Sequence, residues 1–253
     1  VQTLAPGCFD SLDLVFFYSG DDISKEWAPQ AVKAGAFAVD NSAAFRMDAK
    51  YPLIVPEVNG DILPKKNQPT IIANPNCSTI QMVVALAPIH RKAGIKRVIV
   101  TTLQASSGAG KAAVDQLKEE LKAIAAGDYL NVQVNVANKA MPQQLAYNVF
   151  PQIGGFSDYD FTSEEWKLVK ETHKIMGDKK IKVTATTVRV PVRTGHSEAV
   201  YIETKKPIEP DEVRKLLAKS PGIIVIDDKK KGLYPMPKDI EGKYETFVGR
   251  IRK

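Results

Sequence analysis

Cysteine is scarce in this chain: 253 residues hold two, Cys8 and Cys77, together with three histidines. Two distant cysteines make no disulfide framework, and with so few histidines they show no zinc-ligand spacing. The expectation is a protein without a metal, in a reducing and cytoplasmic setting. No apolar run approaches the roughly 18 residues that a membrane span needs, and no signal peptide is visible. A Gly-x-Gly-x-x-Gly turn, which normally opens a dinucleotide-binding domain, is also missing. Lys and Arg exceed Asp and Glu by 35 to 29, but they are scattered apart from the mixed run Asp227-Asp228-Lys229-Lys230-Lys231. A nucleic-acid reader would cluster them on one face with aromatics between. A diffuse positive surplus fits a solvated surface, and equally an anionic small substrate.

What is present is ordinary globular material, 44% hydrophobic and 25% charged, enough for one large domain or two smaller ones. Residues 12–18 read as a buried strand, 24–34 as a helix interrupted at Pro29 and closed by Gly35, and 36–40 as the next strand. Short strands at 53–55 and 70–73 extend what such a strand–helix–strand unit builds, a parallel sheet. The absent glycine-rich turn and the lack of an initial Met make the chain read as a piece without its first strand-turn-helix. From Cys77 the texture changes. Helices are expected at 78–91, capped by Ser78 or Thr79, at 112–126, at 163–175 with Ser163 as cap, and at 211–219. Strands are expected at 96–103, 182–192, 198–203, 223–226 and 246–252. The fold class is thus α/β followed by α+β.

Cys77 lies in Asn74-Pro75-Asn76-Cys77-Ser78-Thr79, a loop-forming run ahead of a helix start. A thiol at a helix amino end meets the positive pole of the macrodipole, which favours the nucleophilic thiolate. A buried core cysteine is the plainer reading of a lone Cys, and Cys8 fits it. Among the histidines, His90 reads as helix surface or a C-terminal cap, and His173 as solvated. His196 falls in a bend between two strands, where a scaffold often holds catalytic groups. The residues alone leave structural and catalytic roles open.

Five blocks then make a pattern. Asn74–Thr79, Ser42-Ala43-Ala44-Phe45-Arg46-Met47-Asp48, Val55-Pro56-Glu57-Val58-Asn59, Gln104-Ala105-Ser106-Ser107-Gly108-Ala109-Gly110 and Arg189-Val190-Pro191-Val192-Arg193-Thr194-Gly195-His196-Ser197 together resemble the bacterial aspartate-β-semialdehyde dehydrogenases. The resemblance runs through essentially the whole chain, in order.

It implies a partial Rossmann-type parallel sheet over residues 1–76. A catalytic and dimerisation domain like that of glyceraldehyde-phosphate dehydrogenase would follow over 77–253, stopping before the family's C-terminal helix. It implies Cys77 as acyl-thioester nucleophile and His196 as general acid/base. Arg189 would hold the substrate α-carboxylate, for which a planar guanidinium is suited. Gln104 would orient the substrate, and Glu164 would pair with its ammonium group. Arg46 and Lys167 would bind phosphate, and Ser107 and Gly108 would contact NADP, whose site is expected to be incomplete in this chain. The partners implied are a small-molecule substrate and phosphate, with assembly as a homodimer or dimer of dimers. The reaction implied is reduction of β-aspartyl phosphate to aspartate β-semialdehyde on the route to lysine, threonine, methionine and diaminopimelate. By themselves, Glu164 and Lys167 also fit a surface i,i+3 pair, and Arg46 a bridge to Asp40 or Asp48. A related reductase of another acyl phosphate, a cysteine hydrolase and a non-enzymatic module are the competing functions.

Overall fold

A computed structural model of the chain describes residues 3–127 and 140–253. They form two compact units, Val1–Ala87 with Lys170–Lys180, and Pro88–Val169 with Ile181–Lys253.

The first unit is built on a three-stranded parallel sheet of β1 (Leu14–Phe17), β2 (Phe37–Asp40) and β3 (Ile71–Ala73), in that order. Helix α1 (Asp21–Lys33) carries the chain from β1 to β2 and buries Ser24, Ala28 and Ala31. Small side chains on both layers, including Ala38 and Ala73, allow helix and sheet to approach closely. The strand expected at 53–55 is a single bridge from Leu53 to Ala73. Its ladder is taken over by Asn59, at the end of α2 (Pro56–Asn59). The Asn59 amide donates to the Leu53 carbonyl at 2.9 Å, and its Oδ1 accepts the Val55 N–H at 2.8 Å.

Helix α3 (Cys77–Ala93) begins one residue earlier than expected. Its cap is Asn76, not Ser78 or Thr79. Asn76 Oδ1 accepts the N–H groups of Ser78 at 3.0 Å and Thr79 at 3.3 Å, which are helix-start donors with no partner in the helix. Farther on, His90 Nδ1 accepts the Ile95 N–H at 3.0 Å, which ties the last turn of α3 to the chain that follows and leaves the capping of helix carbonyls to other groups. His173 is half-buried, not solvated.

The second unit centres on a sheet of β4 (Ile95–Gln104), β5 (Lys182–Arg189) and β6 (Ser197–Thr204), ordered β5-β4-β6. β5 runs parallel to β4, with Gln104 beside Arg189; β6 runs antiparallel, with Leu103 beside Ser197. Helix α4 (Lys111–Ala125) packs Ala113, Leu117 and Ile124 against Met141, Leu145, Ala146 and Phe150. That contact is stapled by two buried polar residues of α4. Glu120 Oε2 accepts the N–H groups of Leu145 and Ala146, both at 2.7 Å, and Gln116 Oε1 accepts that of Met141 at 3.0 Å.

Helix α5 (Ser163–Met176) starts in this unit. Thr162, not Ser163, is its cap, in a reciprocal capping box. Thr162 Oγ1 accepts the Glu165 N–H at 3.3 Å, and Glu165 Oε2 accepts the Thr162 N–H at 2.7 Å. Glu165 Oε1 also takes the Thr187 N–H at 2.9 Å, and Phe150 exchanges both backbone bonds with Arg189. The outer edge of β5 is thereby closed where an edge strand would otherwise leave donors unpaired. Beyond lie α6 (Pro210–Leu217), β7 (Ile223–Val225), α7 (Pro237–Ile240) and β8 (Thr246–Val248), with β7 parallel to β8. The last strand is shorter than the expected 246–252 because its partner offers three residues.

No helix among the described residues is long and apolar enough to cross a membrane, and none of them groups three metal-ligating side chains.

Candidate active site

The chemistry-bearing residues of the second unit converge at one end of its sheet. β4 and β5 are parallel and in register, so Gln104 and Arg189 finish their strands side by side. β6 is antiparallel, so His196, just before its first residue, returns to the same end. Two loops are laced together there: the Ser106 N–H donates to the Val192 carbonyl at 2.8 Å and the Ser107 N–H to the Arg193 carbonyl at 3.0 Å.

Gln104 and Arg189 are both almost fully buried. Arg189 Nη1 donates to the Ala105 carbonyl at 2.6 Å. Gln104 is fixed at both ends of its amide, accepting from Thr102 Oγ1 at 3.1 Å and donating to Glu164 Oε1 at 3.1 Å. Glu164 occupies the first turn of α5, and its other oxygen receives Lys167 Nζ at 3.0 Å. The Glu164 side chain is 8% exposed and the Lys167 side chain 34%. This pair is no solvated surface bridge, since a carboxylate so buried needs the amide and the ammonium to offset its lost hydration.

His196 sits in the same cluster. Its Nδ1 accepts the Ala105 N–H at 3.0 Å, so in the neutral ring the proton resides on Nε2. Burial, reinforced by the nearby Arg189 cation and opposed by Glu164, lowers its pKa to about 4. The ring is therefore uncharged at neutral pH, with one N–H to offer. Gly108 explains how the ring fits: a Cβ there would lie 2.8 Å from His196 Cε1 and 3.3 Å from Arg189 Nη1. Gly195, at φ +90° and with its Cβ direction closed by Pro237 at 3.3 Å, turns the chain into His196. Ser107 and Gly108 are exposed, and their lack of bulk fits a flat ring laid against the backbone.

In the first unit, Cys77 is exposed as the first residue of α3; Cys8, by contrast, is half-buried and not a core residue. Arg46 is buried and pairs neither with Asp40 nor with Asp48. Its Nη1 meets Glu171 Oε1 at 3.1 Å, and its Nη2 donates to the Asn41 carbonyl at 2.8 Å. Asp40 instead accepts the Ser42 hydroxyl at 2.7 Å. The unexpected member is Glu171, for a glutamate midway along a helix carries no signal beyond a solvated face.

Two family models match the chain, the NAD-binding domain of the semialdehyde dehydrogenases over residues 1–65 and their dimerisation domain over 86–253. The Aquifex aeolicus aspartate-semialdehyde dehydrogenase is 51% identical over 97% of this chain and 71% of its own length. The chain belongs to the aspartate-semialdehyde dehydrogenase family. Among solved structures, aspartate semialdehyde dehydrogenase II from Vibrio cholerae complexed with ASA matches at 41% identity and a TM-score of 0.88, covering 97% of this chain and 70% of that one. The Candida albicans aspartate semialdehyde dehydrogenase with NADP matches at 25% identity and a TM-score of 0.71, covering 95% and 68%. As a family member the chain is an oxidoreductase with an NAD(P)-binding part and a dimerisation part. The parallel sheet followed by the β5-β4-β6 domain is the fold that the resemblance implied.

Proposed function

We propose that the protein interconverts β-aspartyl phosphate and aspartate β-semialdehyde through a thioester on Cys77, with NADP as its cofactor. The observation that carries the substrate reading is the pairing of opposite charges around Gln104. A buried cation, Arg189, suits an α-carboxylate, and a buried carboxylate, Glu164, suits an α-ammonium group, the two charges of a free amino acid. Relatives solved in complex with ASA and with NADP support the two ligands.

In the reductive direction the Cys77 thiolate attacks the acyl carbon, the C–S bond forms, and the C–O bond to phosphate breaks. Arg46 and Lys167 take the charge of the departing phosphate. Ser107 and Gly108 would hold part of the nicotinamide, which would supply the hydride. The carbonyl oxygen then carries negative charge, to which His196 offers its Nε2–H, a donor fixed in place by the Ala105 amide. Collapse of that oxygen's charge expels the thiolate and frees the aldehyde. Residues 1–76 are assigned to cofactor binding and 77–253 to catalysis and dimerisation, in a cytoplasm that keeps the thiol reduced. Ile99, Leu103 and Tyr201, exposed on one face of the β5-β4-β6 sheet, support a homodimer through that face. The product enters synthesis of the aspartate-derived amino acids.

The test is phosphate-dependent reduction of NADP by aspartate semialdehyde, using the purified protein. Loss of that activity in Cys77→Ala is expected. Full activity in the variant, or activity indifferent to phosphate, would sink the assignment.

A further inference from the structure

Glu171 links the phosphate-reading arginine to the nucleophile's helix. One carboxylate oxygen meets Arg46 Nη1 at 3.1 Å; the other accepts the N–H of Asn76, the residue before Cys77, at 2.7 Å. The Glu171 side chain is essentially buried, at 2% exposure. One turn farther along α5, Lys174 Nζ donates to three carbonyls of the Arg46 segment, those of Arg46 itself at 2.7 Å, Asp48 at 2.7 Å and Tyr51 at 2.9 Å. The same helix face thus holds Arg46 twice, by its guanidinium and by its backbone. On the far side, the Asn41 carbonyl accepts Arg46 Nη2, while Asn41 Oδ1 accepts the Asn74 amide at 2.6 Å. The Asn74–Asn76 run and Arg46 therefore share one hydrogen-bonded frame within the first unit.

Arg46 keeps its Nε–H in reserve. Its side chain is 9% exposed, yet Nε makes no hydrogen bond among the described residues. A buried donor left unpaired is costly and points to a ligand that completes it. We propose that Glu171 is a positioning residue: it turns Arg46 toward the amino end of α3, so that phosphate held by Arg46 is held beside Cys77. The inference rests on the phosphate-binding reading of Arg46 and adds the group that aims it. A carboxylate is needed because both its oxygens must accept; an amide would turn its NH2 group toward the Asn76 N–H or toward the guanidinium, donor against donor.

Alkylation of Cys77 by iodoacetamide, followed on its peptide by mass spectrometry, reads the geometry without cofactor. Inorganic phosphate is titrated as protectant. The unaltered protein should be protected, Arg46→Gln should lose protection, and Glu171→Gln should need about tenfold more phosphate, the loss expected of one charge-assisted hydrogen bond. Thermal melts establish that the variants are folded; Glu171→Asp, which keeps the charge but falls one methylene short, should shift protection in the same direction. Should Glu171→Gln leave the protein unfolded, the Asp variant decides. A merely structural role would lower the melting temperature without moving the protecting concentration. Protection at the unaltered concentration in a folded Glu171 variant overturns the proposal. If Arg46→Gln is protected as well as the unaltered protein, the reading of Arg46 itself falls, and the proposal with it.

Discussion

Replacing Gly108 by Ala should slow the enzyme without weakening its fold. The new Cβ would stand 2.8 Å from His196 Cε1, 2.9 Å from Nε2 and 3.3 Å from Arg189 Nη1. Carbon contacts are comfortable at about 3.5–4.0 Å, so the ring must retreat by about 0.7 Å. Retreat stretches the 3.0 Å bond from the Ala105 N–H toward its limit and swings Nε2 away from its target. Misplacement on that scale costs up to about 100-fold in rate, so a fall in kcat of about 30- to 100-fold is expected. Stability should hardly change. Gly108 does not adopt the positive φ that would strain alanine. Alanine's gain of about 0.4–1 kcal/mol from a stiffer unfolded chain offsets the roughly 1 kcal/mol of a weakened hydrogen bond. The measurement is kcat and the KM values for aspartate semialdehyde, NADP and phosphate, with a thermal melt and the His196 ring signals by NMR. If Gly108 acts only through the cofactor, the KM for NADP rises and kcat stays. A variant with unaltered kcat and unshifted ring signals would refute the steric reasoning.

His196 should titrate near pH 4 in the folded protein, against about 6.5 when unfolded, so the stability held by its neutral form is complete above pH 6.5 and is lost as the pH falls toward 4. NMR titration checks this, and a ring that protonates between pH 6 and 7 contradicts it. Thr162→Val should cost about 1 kcal/mol through the lost cap, and Glu165→Ala about 3 kcal/mol, because it strands the buried Thr162 N–H and the Thr187 N–H together. Denaturant melts compare the two, and equal costs would show that the link to β5 contributes nothing. Glu120→Ala should destabilise by about 3 kcal/mol, with hydrogen exchange accelerated at the Leu145 and Ala146 amides that it leaves unpaired.

Local structure was legible in this sequence where local forces decide it, and the misreadings mark where they do not. Alternation and apolar runs place β2, β4 and α3 within a residue or two, because each is dictated by its own side chains. The caps went astray by one to three positions for an instructive reason. Ser and Asn cap equally well, so choosing Asn76 over Ser78 depends on where the chain following Pro75 first turns helical. At α5, however, the pattern Thr162-Ser163-Glu164-Glu165 held the answer, since only Thr162 has a glutamate three residues later. The short strand at 53–55 failed differently. Asn59, a polar residue outside the run, captured the Leu53 carbonyl and the Val55 N–H.

The site divides along the same line. Resemblance nominated Gln104, Glu164, Arg189 and His196, residues whose chemistry the sequence alone leaves ambiguous. It supplied nothing for Glu171, which is 125 residues from Arg46 and 95 from Asn76. No periodicity connects such distances, and on its own helix Glu171 looks like any solvated carboxylate among Lys170, His173 and Lys174. Only the fold shows that it is buried. Burial then changes its meaning, because a dehydrated carboxylate is retained only where opposite charge and donors meet it. Arg46 and the Asn76 N–H are what it meets. The same reasoning applies to Glu164, held by Gln104 and Lys167. In both cases the informative quantity is the desolvation of a charge, which a one-dimensional sequence does not carry and a three-dimensional neighbourhood does.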